Sequence, residues 1–119
     1  MAKILVHLAT GPENPTRAAL AFLVARTAVS EGHEVRMFLA GDAVQLARGA
    51  TAEATQGIGT GSLAEHWRVL ADAGVEILLS GMSSKARALD VAEAPGPVTL
   101  APPERLVESA LWADRTFVY

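Results

Sequence analysis

The 119-residue chain contains no cysteine, so disulfides, thiolate metal sites and cysteine nucleophiles are excluded. It also lacks a long apolar run. The first apolar run, Met1 to Ala9, is too short for a signal peptide or a membrane span. We therefore expect a cytoplasmic location and no membrane partner. Basic residues number 10 against 13 acidic ones, a net charge of −3, and this balance argues against a nucleic-acid partner.

Half of the residues are apolar, enough to build the core of one domain spanning residues 1–119. Short apolar runs alternate along the chain with segments of helical spacing. The predicted strands are 3–9, 34–40, 75–79, 98–100 and 116–119. The predicted helices begin at Pro15, Asp42, Ser62, Ser83 or Ser84, and Pro103, and the glycine-rich stretch 48–61 is predicted to be a mobile loop.

This alternation predicts an α/β fold with right-handed crossovers. We expect a single-domain three-layer sandwich, in which a five-stranded parallel sheet of order 2-1-3-4-5 carries helices on both faces. Ligands of such sheets bind beyond the carboxyl ends of the strands, at the point where the strand order reverses. In this order the loops that follow strands one and three face each other.

Both of these loops combine glycine with hydroxyl or amide side chains, and both lead into helix N-termini that favour anions. They predict one small anion-tolerant pocket, with Asp42 on the same edge. The candidate pocket residues are His7, Thr10, Gly11, Asn14, Asp42, Ser80, Gly81, Met82 and Ser83. Turn and capping roles explain Gly11, Asn14, Gly81 and Ser83 equally well, and His7 either reaches the pocket or packs under the helices.

The residues do not favour other chemistries. Ser80 lacks the Gly-x-Ser-x-Gly frame of a hydrolase, because Leu78 stands where the first glycine belongs. The three histidines do not have metal-site spacing, and His66 is better explained as a structural residue. The candidate loops offer no aromatic side chain to stack on a flavin, so we expect no cofactor, no metal and no catalytic residue.

Several segments, taken in order, resemble the DsrE/DsrF-like family over nearly the whole length of the chain. These segments are Lys3–Val6 with Gly11–Pro15, Glu34–Phe38 with Gly41–Asp42, and Leu70–Ile77 with Ser80–Arg87. The resemblance implies a flavodoxin-like sandwich that assembles as a homotrimer or homohexamer. It also implies sulfur carried as a persulfide on a cysteine at the end of strand three, where this chain has Ser80.

A serine hydroxyl cannot hold a persulfide, so we expect no independent catalysis. The sequence favours an oligomeric binding or partner-interaction module with a small anion-tolerant pocket. The alternative is an accessory subunit of a sulfur-relay or sulfur-transfer system that works with a related, cysteine-bearing partner.

Overall fold

The computed structural model describes all 119 residues. The strands are β1 (Lys3–Leu8), β2 (Glu34–Leu39), β3 (Gln56–Gly57), β4 (Gly61–Ser62), β5 (Glu76–Ser80), β6 (Thr99–Ala101) and β7 (Arg115–Val118). The helices are α1 (Pro15–Ser30), α2 (Gly49–Ala54), α3 (Leu63–Asp72), α4 (Gly81–Ala86) and α5 (Pro103–Trp112). Two 3₁₀ segments cover Gly41–Ala47 and Val91–Glu93.

The five predicted strands form one parallel sheet, which confirms the α/β class and the parallel sheet. The strand order, however, is β6-β5-β2-β1-β7 rather than the predicted 2-1-3-4-5. In the predicted numbering it is 4-3-2-1-5. The crossover through α3 therefore places β5 beside β2 and not beside β1. Strand–helix alternation fixes the handedness of each crossover but not the side on which the next strand is added.

Helices cover both faces of the sheet, as predicted, but unequally. The large face carries α1 and α3, and its core is a cluster of 23 buried residues. The cluster includes Phe22 and Trp67, whose stacked rings have centroids 5.1 Å apart. The small face has only Leu5, Phe38, Leu78 and Ala101 buried as a cluster, and α5 packs on it. Alternation along each strand produces this division, because successive side chains point to opposite faces.

The helix starts follow the capping chemistry predicted from the sequence in two cases. Asn14 accepts a hydrogen bond from the Arg17 amide at 3.1 Å, and Ser62 accepts one from the Glu65 amide at 3.3 Å. The predicted start of α4 is wrong, because Ser80 rather than Ser83 or Ser84 is its cap, and the helix ends at Ala86.

The stretch 48–61 is regular structure rather than the predicted loop. It contains α2 and one strand of the antiparallel β3–β4 hairpin, whose turn is held by side chains from elsewhere. The Ile58 amide donates to Thr16 Oγ1 at 3.1 Å, and His66 Nε2 lies 2.8 Å from the Thr60 carbonyl oxygen. None of the helices is long and apolar enough to cross a membrane.

Candidate functional site

The loop after β2 separates the two loops that the sequence had placed in one pocket. Gly11 lies so close to this loop that a Cβ there would collide with the Asp42 backbone carbonyl. On the other side, the Gly41 amide donates to Ser83 Oγ at 2.9 Å. The residues Gly41 and Asp42 therefore fill the space between the loops after β1 and β5, and the single predicted pocket does not form.

Two separate hollows take its place. The smaller, of about 320 Å³, is lined by Pro12, Glu13, Asp42, Gln45 and Thr51. The larger, of about 500 Å³, lies between the ends of β5 and β6; we call it the β5–β6 hollow. Its lining is Gly81, Met82, Lys85, Leu100, Ala101, Pro102, Pro103 and Glu104. Of the predicted residues, only Gly81 and Met82 line it.

The β5–β6 hollow lies where the crossovers change face. After β5, the connection packs Leu89, Val91 and Val98 against the large-face core. After β6, α5 packs on the small face, where Leu106 joins the smaller cluster. Adjacent strands whose connections leave on opposite faces open a crevice at their carboxyl ends, and in the observed strand order these are β5 and β6 rather than the predicted pair of strands.

Three of the other predicted residues have structural partners. Asp42 pairs with Arg87 at 3.0 Å, Asn14 caps α1, and Ser83 holds Gly41. Thr10 lies half-buried in the loop after β1.

Ser80 lies directly before Gly81, which lines the β5–β6 hollow. Its hydroxyl oxygen accepts a hydrogen bond from the Ser83 amide at 3.1 Å and so caps α4. No histidine contacts it: β2 separates β1, which carries His7, from β5. The geometry gives this hydroxyl a structural partner and no general base.

His7 packs on the small face, which decides between its two predicted positions. Its ring meets Phe38 edge-on at 6.1 Å, and its buried Nε2 has no hydrogen-bond partner. Burial lowers the pKa of His7, because an imidazolium is costly to desolvate. His33 and His66 are both hydrogen-bonded, to the Ala2 amide and the Thr60 carbonyl oxygen respectively. No group of three or more acidic or histidine side chains is placed to hold a metal ion.

The lining of the β5–β6 hollow combines apolar side chains with one charge of each sign. Met82 and Leu100 are largely exposed, at 69% and 51%. Lys85 on α4 and Glu104 on α5 provide the charges, and neither takes part in an ion pair within the chain. Leu100 and the segment Pro102–Glu104 were missed from the sequence because their proximity to Met82 depends on the pairing of β5 with β6. Lys85 lies three residues after Met82 on α4, so helical spacing could have found it.

The parallel sheet, the layered helices and the crevice at the strand ends define a small α/β protein of the open-sheet class. The chain matches the DsrE/DsrF-like family over residues 2–119 and belongs to it. A comparison with curated proteins gave no match.

Three solved structures share this fold. YchN from Escherichia coli superposes with a TM-score of 0.81 at 19% identity, over the full length of both chains. MTH1491 from Methanobacterium thermoautotrophicum, described as a protein of unknown function, gives 0.72 at 12% identity, again over both full chains. BT1422 from Bacteroides thetaiotaomicron, also described as of unknown function, gives 0.71 at 14% identity over 99% of this chain and 95% of its own.

Proposed function

We propose that this chain is a DsrE/DsrF-like protein that does not carry sulfur itself and that works as a protein-interaction module, with the β5–β6 hollow as its docking surface. The chain has no cysteine, and Ser80, at the position that the family resemblance assigns to the sulfur-carrying cysteine, has its hydroxyl engaged as a helix cap. What remains at this edge of the sheet is a surface that can bind but has no thiol to carry sulfur.

The observation that carries the proposal is the concentration of exposed apolar side chains at this hollow. Four of the chain's eight exposed large apolar residues lie there or on the adjacent side of α5: Met82, Leu100, Val107 and Leu111. Val107 lies three residues after Glu104, and Leu111 lies four residues after Val107, so both continue the lining along the same side of the helix. A contiguous apolar surface of this kind, edged by charges, is typical of protein docking sites.

Lys85 gives the docking surface its tolerance for an anion, because it is the one cation of the lining and has no acidic partner. A carboxylate of a docked protein is therefore accommodated without displacing an existing ion pair. The proposal retains two expectations from the sequence: a cytoplasmic location and assembly as a homotrimer or homohexamer.

The accessory-subunit function uses the same surface with a different partner. The hollow begins at Gly81, immediately after Ser80, so a related protein docked here would lie beside the position where the family carries sulfur. In that case the partner supplies the cysteine. The two functions differ in whether a cysteine-bearing relative accompanies the chain.

The test compares two aspartate substitutions at exposed apolar positions. Met82→Asp places a charge in the hollow, in the first turn of α4, where a carboxylate is compatible with the helix. Ile58→Asp is the matched control, at the tip of the β3–β4 hairpin and 89% exposed. Native mass spectrometry of the tagged proteins, isolated from their own cells, counts the copies of the chain and identifies any other protein bound.

Wild type and Ile58→Asp are expected to retain the protein bound at the hollow, whereas Met82→Asp is expected to lose it and to appear at a correspondingly lower mass. A cysteine-bearing relative in the complex favours the accessory function, and copies of the chain alone favour the first. Partners retained equally by Met82→Asp, or a wild-type chain that is monomeric and alone, would contradict the proposal.

A further inference from the structure

We propose that the free edge of β7 is a second docking surface, where an extended segment of another protein adds a sixth strand to the sheet. The strand order β6-β5-β2-β1-β7 places this edge opposite the one that carries the β5–β6 hollow. The inference therefore goes beyond the proposed function and does not depend on it. Two features of the edge identify the kind of partner: the open backbone of β7 and an apolar hollow beside it.

The backbone of β7 is open on one side, because β7 pairs only with β1. Directly after β7, the Tyr119 amide donates to the His7 carbonyl oxygen, and the Tyr119 carbonyl oxygen accepts from the Ala9 amide, both at 2.9 Å. Tyr119 thus directs both of its backbone groups toward β1. Since successive residues of a strand direct these groups to alternate sides, Val118 and Thr116 direct theirs to the free edge. Open N–H and C=O groups of this kind are a template for a further strand.

The two edges of the sheet differ in how they are protected. At the other edge, β6 has only three residues and is followed directly by Pro102 and Pro103. Short length and proline are devices that keep an edge from pairing. β7 has no proline within it or beside it, only Arg115 at its first position is charged, and its threonine, phenylalanine and valine favour strands. The edge that remains able to pair is therefore that of β7.

A mostly apolar hollow of about 450 Å³ lies between α1 and β7; we call it the α1–β7 hollow. Its lining includes Leu23, Val24 and Thr27 of α1, Ile4 of β1 and Phe117 of β7. The Phe117 side chain is 40% exposed although it borders this apolar surface. A strand added at the free edge would lie beside Phe117, so its side chains on this face of the sheet would enter the hollow.

These two features together define the occupant as an extended segment with an apolar residue at every second position. Only an extended backbone satisfies the alternating open groups of a strand edge, so a docked helix does not fit. The period of two sends alternate side chains of an added strand to the hollow, where the lining is apolar. Glu31, also in the lining, forms no ion pair within the chain and favours a basic residue near one end of the segment.

A second copy of this chain matches the edge less well than a strand of another protein. Its β6 is short and followed by prolines, as described above. Its β7 places Arg115 and Phe117 on the face of the hollow, because alternate residues share a face. Phe117 is then the one apolar side chain that this strand could offer, and that ring already lines the hollow of its own copy.

A peptide that can pair only as a strand tests the inference on the wild-type chain. The probe is a fluorescein-labelled peptide of alternating threonine and valine with a lysine at each end, and fluorescence anisotropy measures its binding. Two further peptides carry N-methyl groups, one on all threonine amides and the other on all valine amides. Because only alternate amides of an added strand face β7, one methylated peptide is expected to bind and the other to lose binding.

Substitutions in the chain test the edge and the hollow separately. Thr116→Pro removes an open amide without removing a bond to β1, and is expected to weaken binding of the unmodified peptide about fivefold or more. Thr116→Val keeps that amide and is its matched control. Thr27→Lys places a charge in the hollow and is also expected to weaken binding. Its control, Ser30→Lys, is exposed in the same last turn of α1 but lies outside the lining.

The inference is overturned if the unmodified peptide does not bind, if the two methylated peptides bind alike, or if Thr116→Pro binds as well as Thr116→Val. It also fails if Thr116→Pro lowers the mass of the purified protein in light scattering relative to Thr116→Val, because a second copy would then occupy the edge. None of these substitutions touches the β5–β6 hollow, so Met82→Asp reports on the proposed function independently.

Discussion

Ser80 illustrates how one atom changes the chemistry of a site without changing its architecture. Its oxygen accepts the Ser83 amide hydrogen bond at the start of α4, and Ser80 directly precedes Gly81, which lines the β5–β6 hollow. A sulfur atom at the same place would receive that hydrogen bond as a thiolate, a form that such a bond stabilises. The position would therefore stabilise a thiolate, but it holds a hydroxyl oxygen, which cannot carry a persulfide.

Ser80→Cys should accordingly create a reactive thiol. We expect its pKa to lie below that of free cysteine, because the Ser83 amide favours the thiolate. The pKa of the introduced thiol is measured from the rate of iodoacetamide alkylation as a function of pH, with free cysteine as the reference. Alkylation at neutral pH no faster than that of free cysteine would show that the Ser83 amide does not stabilise the thiolate.

His7 contributes a pH dependence to stability. Its pKa in the folded chain lies below the ordinary value of 6.5 because the ring is buried and Nε2 has no partner. The unfolded chain therefore binds more protons between these two pKa values, and the free energy of unfolding falls as the pH drops below 6.5. Above 6.5 the ring is neutral in both states and this effect vanishes.

His7→Leu removes the titrating ring while keeping an apolar group against Phe38. We expect the variant to lose less stability than wild type between about pH 7 and about pH 5. Urea unfolding of both proteins across this range measures the difference. Parallel stability curves for the two proteins would contradict a lowered pKa at His7.

At the scale of elements, α5 is held to the small face chiefly by polar contacts. Arg36 on β2 donates to Glu108 at 2.9 Å and to Ser109 at 3.0 Å, pairs with Glu76 at 2.9 Å, and lies 4.2 Å from the centre of the Trp112 ring. Its side chain is only 14% exposed, so these contacts are shielded from solvent. Trp112 thus serves the attachment of α5 within the chain.

Arg36→Ala is expected to lower the free energy of unfolding by about 1–3 kcal/mol, because it removes several charge-assisted bonds and the packing over Trp112 at once. Arg68→Ala is the matched control. Arg68 also pairs with a carboxylate, Glu53, but both side chains are more than half exposed, so its loss should cost less than about 1 kcal/mol. Denaturant unfolding compares the two, and equal losses would contradict the anchoring role of Arg36.

The elements themselves could be predicted from the sequence because their signals are local. The runs of β1, β2 and β5 are short and apolar, and Asn14 and Ser62 stand where helix caps belong. The β3–β4 hairpin could not be predicted, because it has only two residues a strand and its turn depends on Thr16 and His66 from other parts of the chain.

The site required information on the scale of the whole molecule. Which loops face each other depends on strand order, and nothing local distinguishes β5 beside β2 from β5 beside β1. Ser80 and Met82 were correctly placed at the end of the third predicted strand, but Leu100 and Glu104 join them only through the pairing of Ser80 with Ala101 in the register of β5 and β6. Long-range pairing of this kind leaves no pattern in a single sequence.

At the scale of the whole molecule, the proposed docking surface also bears on the exposed apolar side chains. The small face has one helix, and the side of α5 that continues the hollow exposes Val107 and Leu111. Docking of a partner protein there would remove this apolar surface from water, and burial of that kind is worth about 25 cal/mol for each Å². The proposed docking surface therefore accounts for residues that the fold of one chain leaves exposed.

Oxidation of Met82 by hydrogen peroxide tests this claim most directly, because thioether oxidation follows solvent exposure. Met37, fully buried, is the slow reference within the chain, and the methionine introduced by Ile58→Met at the exposed hairpin tip is the fast one. If a docked protein covers the β5–β6 hollow, peptide mass spectrometry will find Met82 oxidised at a rate close to that of Met37, and urea will abolish the protection. Oxidation of Met82 as fast as that of the methionine at position 58 would contradict the account, because the hollow would then be open to solvent.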